Sequence, residues 1–280
     1  MVTKVVTKEV PAKTKPLTFE DYFYKAVDFH QKGNKSKALE NYSQSIRLNS
    51  RFAPALHNRA ILLDDYKRYN EALEDYNNAI ALSPGFPVYV FNRAITKYNI
   101  NDFEGAISDI NEGLKVDADN LKAIKIKAQS LFNLERFSDA IGLFEKLNED
   151  LPEGSNYYLL GLSYGFNGKH LAAASALSKA LEYKQDIKYL KARAVSYVNS
   201  KMLDKALVDF ELLLTKDPSD NSSRLILAKL LNQLNQKGAS CKELYLLKDK
   251  KFKSDEVNRL IEDSCSLYDL KKRMEMKKNN

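Results

Sequence analysis

The chain has 280 residues, 44% of them hydrophobic, with 10 Gly, 7 Pro, 2 Cys and a formal net charge of +7. That length can bury a sizeable core, and the apolar content excludes a chain disordered by composition. So few glycines and prolines argue against an all-β protein and for long helices, and no apolar run approaches the ~18 residues of a membrane-spanning helix.

Residues 1–17 hold Lys4, Lys8, Lys13 and Lys15 against Glu9, with valines and two prolines, and read as a disordered basic tail. Much of the remaining charge excess lies beyond residue 247, so the body of the chain is nearly neutral. Nucleic acid is therefore disfavoured as a partner, and the N-terminus lacks a signal-peptide core.

From Phe19 onward a regular spacing appears. Ala38, Ala72, Ala106 and Ala140 follow one another at steps of 34, and Ala173 and Ala206 continue at steps of 33. Four residues after each stands a large apolar side chain: Tyr42, Tyr76, Ile110, Phe144, Leu177 or Phe210. Twelve before each stands a small one: Ala26, Ala60, Ala94, Ala128, Gly161 or Ala194. Pro84, Pro152 and Pro218 share one phase, and Gly33, Asn101 and Gly168 another. Paired antiparallel helices explain this pattern. Small residues mark the crossing of two backbones, and the large residue one turn on fills the space beside it. Glycine or asparagine suits the turn between paired helices, and proline the junction between pairs.

The spacing resembles the tetratricopeptide repeat, a helix–turn–helix unit of 34 residues. The resemblance covers residues 18–220 in six units: 19–52, 53–86, 87–120, 121–153, 154–186 and 187–220. It implies an all-α fold, a right-handed α-solenoid of about six such units closed by a C-terminal capping helix. One helix pair cannot bury its apolar face alone, so each unit needs its neighbours. Residues 221–280 read as a degenerate seventh unit, with Ala228 at the small position, followed by the cap. Ser254, Asp255 and Glu256 look like that cap's N-terminal turn.

Within the fifth unit, Gly161-Leu162-Ser163-Tyr164-Gly165 spells G-x-S-x-G, the pattern of a hydrolase nucleophile elbow. The repeat accounts for it instead: Gly161 is the small residue of a first helix, with no strand before Ser163. His170, the only histidine after Ser163, follows seven residues on, far too near for that fold's triad. His30, His57 and His170 fall in three units without ligand spacing, and Gly168-Lys169 lacks the rest of a phosphate loop. Cys241 and Cys265 match no metal or redox spacing, which suits a reducing compartment. The expectation is a non-enzyme with no cofactor and no metal.

Family resemblance implies that first helices line a concave groove that binds a peptide or helix of a partner protein. The groove residues expected to meet it are Asn58, Phe91, Asn92, Tyr98, Lys122, Lys125, Gln129, Tyr158, Lys188 and Lys191. The lysines predict acidic residues in the partner, with Asp64 and Asp65 making the N-terminal half acidic. The family's chaperone clamp needs Lys and Asn, then Asn, then Lys and Arg in successive first helices, and no window here supplies them. The expected function is a scaffold subunit of a larger assembly, with chaperone-associated and nucleic-acid-associated adaptors as alternatives. Cytoplasm is the expected location, with a cilium or other cytoskeletal assembly as the alternative.

Overall fold

The computed structural model describes residues 16–266. Most of the basic tail expected at 1–17, and the segment LKKRMEMKKNN at 270–280, lie outside the described residues. Among the described residues there are fifteen α-helices and no strand. They are α1 (Phe19–Gln31), α2 (Lys35–Leu48), α3 (Ala53–Asp65), α4 (Tyr69–Leu82), α5 (Pro87–Asn99), α6 (Phe103–Gly113), α7 (Leu121–Asn133) and α8 (Phe137–Asp150). They continue as α9 (Gly154–Phe166), α10 (His170–Tyr183), α11 (Ile187–Asn199), α12 (Leu203–Lys216), α13 (Asn221–Gln233), α14 (Lys237–Asp249) and α15 (Ser254–Ser264). Compactness divides the chain into residues 1–123 and 124–280.

In the first unit α1 packs on α2, α3 on α4 and α5 on α6, while α2 meets α3 and α4 meets α5. In the second, α9 packs on α10, α11 on α12 and α13 on α14, with α8, α10, α12 and α14 each meeting the helix that follows. The crossings fall where the alanine spacing puts them. Ala26, Ala38, Ala60, Ala72, Ala94 and Ala106 have no exposed surface, and neither have Ala128, Ala140, Ala173, Ala194 and Ala206. At Gly161 the approach is closer still: a Cβ there would lie 2.6 Å from Leu177 Cγ and 3.2 Å from the Ala173 carbonyl. Beside the crossings, Tyr42, Tyr76, Ile110, Phe144, Leu177 and Phe210 are at most 1% exposed. Burying each contributes roughly 1.5–3 kcal/mol.

Each turn within a helix pair has one left-handed residue: Gly33, Lys67, Asn101, Glu135, Gly168, Lys201 and Asn235. Lys67, Glu135 and Lys201 adopt it without the freedom of glycine or the side chain of asparagine. In each pair the backbone N–H of the residue that follows closes the turn, as Arg68 does on Leu63 and Met202 on Tyr197.

A recurring ion pair ties the helices together. The Arg59 guanidinium holds Asp75 through two hydrogen bonds of 2.7 Å, and its third nitrogen reaches Ser43 at 3.4 Å. Arg93 holds Asp109 at 2.8 and 2.7 Å and Asn77 at 2.8 Å, while Arg193 holds Asp209 at 2.8 and 2.7 Å and Ser178 at 3.1 Å. Each arginine stands on a first helix, its aspartate on the paired second helix, and its third contact on the second helix before. One side chain thus fixes three helices.

The seventh helix pair is complete. Ala228 is fully buried and faces Ser240, whose hydroxyl donates to the Ala228 carbonyl at 2.7 Å. Serine therefore stands at the small position with its polar atom satisfied. Val257 and Ile261 of α15 cover Leu225, Leu244 and Leu247. Lys253 rather than Ser254 occupies the N-cap of α15, with no side-chain capping bond, while Glu256 in its first turn pairs with Lys229 on α13 at 2.5 Å. Cys241 and Cys265 form a buried disulfide with Cα atoms 5.7 Å apart, joining α14 to the end of α15. The pairing removes cysteine usage as an argument for the reducing compartment that the sequence suggested.

Two predictions test this account. Asp209→Ala strands a guanidinium that is 22% exposed, so it should cost somewhat less than the roughly 3–5 kcal/mol of a fully buried pair, read as a lower urea midpoint. Cys265→Ser opens a disulfide closing a sequence separation of 24 and should cost about 3 kcal/mol, matching the effect of reductant on the parent.

Candidate functional site

Within the first unit, α3 and α5 lie side by side, and a polar network fills the surface between them. Asn92 Nδ2 donates to His57 Nε2 at 2.8 Å, which fixes the proton on Nδ1, 3.2 Å from Asn58 Oδ1. His57 is buried, and burial holds its pKa below the ordinary histidine value against a smaller opposing effect of the Asn58 bond. Next to it, Thr96 and Tyr76 hydroxyls donate to Asp64 Oδ2 at 2.6 and 3.1 Å. Burial pushes the Asp64 carboxyl up despite these two bonds, and Asp65 pairs with Lys35 at 2.7 Å.

Within the second unit, α9 and α11 also lie side by side and enclose a cleft of about 350 Å³. Its lining is mostly apolar: Gly161, Leu162, Gly165 and Phe166 from α9, with Ala192 and Val195 from α11. Phe166 is 65% exposed and stacks on Phe137, ring centroids 4.8 Å apart. Tyr158, at one end, stacks on Tyr189 at 4.7 Å, and the Lys188 ammonium lies 5.4 and 5.3 Å from their ring centroids.

The residues expected from sequence to meet a partner divide into several groups. Tyr158 and Lys188 share the rim of the α9–α11 cleft. Asn58 and Asn92 belong to the α3–α5 network, each with one amide atom given to His57. Phe91 is 8% exposed, and its ring fills the space over Gly113, where a Cβ would meet it at 2.3 Å. That ring serves the α5–α6 packing rather than the groove surface. Tyr98 packs edge-on to Phe103 at 5.5 Å. Lys122 is exposed and Gln129 half-buried on α7.

Lys125 and Lys191 are structural couplers. Lys125 donates to Glu153 at 2.6 Å and Lys191 to Asp220 at 2.7 Å, and each acid immediately precedes the next first helix. The Lys125 bond holds Glu153 below the usual carboxylate range. Burial pushes Asp220 up, but bonds from Lys191 and Ser223 outweigh it and hold that carboxyl low as well. The expected polarised groove is correspondingly weaker than its formal charges, since Asp65 too is paired. An acid placed just before the following helix was the sequence signal for this coupling.

The G-x-S-x-G pentapeptide lies inside α9. Ser163 is fully buried, and its hydroxyl donates to the Leu159 carbonyl at 2.8 Å. Such a hydroxyl is neither reachable nor activated. Among the described residues no group of three His, Cys, Asp or Glu is placed to hold a metal ion, and no helix is long and apolar enough to cross a membrane.

Comparison with known proteins gives these features a context. A family model described as the tetratricopeptide repeat matches residues 53–86 and 154–187. "Tetratricopeptide repeat protein 14" of Mus musculus is 37% identical over 73 residues, 26% of this chain but 10% of that protein. Among solved structures, YrrB, described as "a TPR protein with an unusual peptide-binding site", is 18% identical with a TM-score of 0.61, covering 66% of this chain and 97% of that one. A tetratricopeptide repeat protein from Parabacteroides merdae ATCC 43184 is 18% identical with a TM-score of 0.58 over 87% and 97%. MamA from Desulfovibrio magneticus RS-1 is 20% identical with a TM-score of 0.57 over 60% and 96%. At these identities the structures share the fold.

The His57 network predicts a pH dependence. A pKa lowered on folding gives stability that is present above the unfolded value near 6.5 and lost as pH falls through the folded one. Thermal unfolding at pH 7.5 and 5.5 should show a larger drop for the parent than for His57→Gln; equal drops would mean that His57 titrates alike in both states.

Proposed function

Because the chain is a tetratricopeptide-repeat protein, we propose that it is a non-catalytic scaffold that holds a peptide or helix of a protein partner on the face of its first helices, as a subunit of a larger assembly. One observation carries the reading. The α9–α11 cleft keeps apolar side chains in solvent, with Phe166 65% and Val195 37% exposed. Exposed apolar surface concentrated in a cleft favours recognition of a partner's side chains. The peptide-binding site named for YrrB, a protein of the same fold, supports the same reading. Acid–base or nucleophilic chemistry finds no support, since Ser163 is sealed and His57 is held neutral between two amides.

Random-sequence peptides displayed on phage and selected on the folded chain test this. Selected peptides should lose about tenfold or more in affinity when Phe166→Ser and Val195→Glu are introduced together, and little when Val208→Glu alters the exposed surface of α12. Sensitivity to Val208 alone would place recognition on the second helices and defeat the proposal. So would tight binding of random-sequence RNA with a steep salt slope, which belongs to a nucleic-acid adaptor.

A further inference from the structure

The α9–α11 cleft has a shape and a charge that specify its occupant more closely. We infer that it is an anchor site for one aromatic or large aliphatic side chain whose neighbour in the partner peptide bears a carboxylate. The inference rests on the scaffold reading above and names the chemistry that the scaffold selects.

The floor of the cleft is made by the two glycines of the elbow-like pentapeptide, one helical turn apart on α9. They are glycines for different reasons. Gly161 has no room for a side chain, because Leu177 Cγ would stand 2.6 Å from its Cβ. At Gly165 the nearest atom to a built Cβ is Ala173 Cβ at 3.8 Å, an ordinary contact. Packing therefore does not demand glycine at 165, the penultimate residue of α9. Gly165 lines the cleft with Leu162 and Val195, and the space beside it is left unfilled. A volume of about 350 Å³ is at the small end of ligand sites, roughly 300–1,000 Å³, and suits one or two side chains. The equivalent cleft between α3 and α5 is lined by Asp64, Asp65, Asn92 and Asn99 beside Ile61 and Ile95, and lacks that apolar character.

Charge fixes the second requirement. Of the two lysines on the rim, Lys191 is committed to Asp220. Lys188 has no carboxylate within ion-pair distance among the described residues; Asp186 lies near enough to feel its charge but pairs with Lys184 at 3.1 Å. The Lys188 ammonium is instead held over the Tyr158 and Tyr189 rings at the mouth of the cleft. A ligand carboxylate beside an anchored ring meets a cation already positioned, and such a charge-assisted contact favours acid over amide.

Three capped dipeptides separate these requirements: N-acetyl-Phe-Glu-amide, N-acetyl-Phe-Gln-amide and N-acetyl-Ala-Glu-amide, titrated into the 15N-labelled full chain. The first should shift the amide signals of Gly161, Gly165 and Val195 saturably, the second should bind several-fold more weakly, and the third should leave them unmoved. Lys188→Gln should abolish the preference for Glu over Gln while keeping the Phe-dependent shifts. Gly165→Leu, which fills the floor, should abolish both; Val195→Asp is the second blocking variant, with circular dichroism melting as the check that each folds. Equal responses to all three dipeptides, or none at these residues, overturn the inference. If the Phe dipeptides shift α3 and α5 instead, this site fails while the first-helix scaffold reading stands. If they shift second helices alone, both fail.

Discussion

Two helices in each repeat touch where there is no room for a side chain larger than a methyl group. Everything else in the molecule follows from that contact. Eleven alanines at these crossings are wholly buried, and at Gly161 even a methyl group is excluded. Close approach brings the large residue one turn later, such as Tyr76 or Phe210, against the facing helix, where it closes the core of the repeat. It also leaves the outer flank of the first helix unoccupied by its own partner. Neighbouring first helices then meet flank to flank, as α3 meets α5 and α9 meets α11, and a cleft opens between each such pair.

That contact is also why so much of the fold was legible beforehand. A crossing that tolerates alanine or glycine alone writes itself into the chain at a fixed interval, and the helices begin at Phe19, Ala53, Pro87, Leu121, Gly154 and Ile187, where the spacing starts each unit. Turn chemistry was less readable. Gly33, Asn101 and Gly168 announce a left-handed residue, but Lys67, Glu135 and Lys201 take the same conformation because the helices on either side dictate it. The seventh pair was obscured by Ser240, which enters a crossing only because the Ala228 carbonyl accepts its hydroxyl. The Cys241–Cys265 bridge depends on where α15 folds back, and a separation of 24 in the chain says nothing of that.

The candidate site was legible in outline and not in its particulars. Alignment with the repeat puts Tyr158, Lys188 and Lys191 on one face, yet it cannot say which cations are already satisfied. Lys191 and Lys125 look like equals of Lys188 until Asp220 and Glu153 are seen to neutralise them. Phe91 has the right phase for a groove residue, but the glycine at 113 on the opposite helix draws its ring inward. Such distinctions depend on pairs of residues about 20 to 30 apart, and a single sequence read by itself offers no statistical hint of them. The pentapeptide at 161–165 shows the reverse case, in which a familiar local pattern loses its usual meaning once the backbone around it is helical.

The recurring arginine has an implication for how such a molecule changes over time. Arg59, Arg93 and Arg193 each bind two second helices, so part of the cohesion between successive repeats is carried by the arginine-bearing side of the first helix, while Lys191 on the cleft rim adds a tie from α11 to the start of α13. Residues such as Leu162, Lys188 and Val195 take no part in that triple attachment. The arginine attachment and the proposed recognition residues thus fall on different positions of the same α-helix. On the scaffold reading proposed above, drift or deliberate redesign at these cleft positions changes the peptide selected while the arginine-held contacts keep the repeats in register.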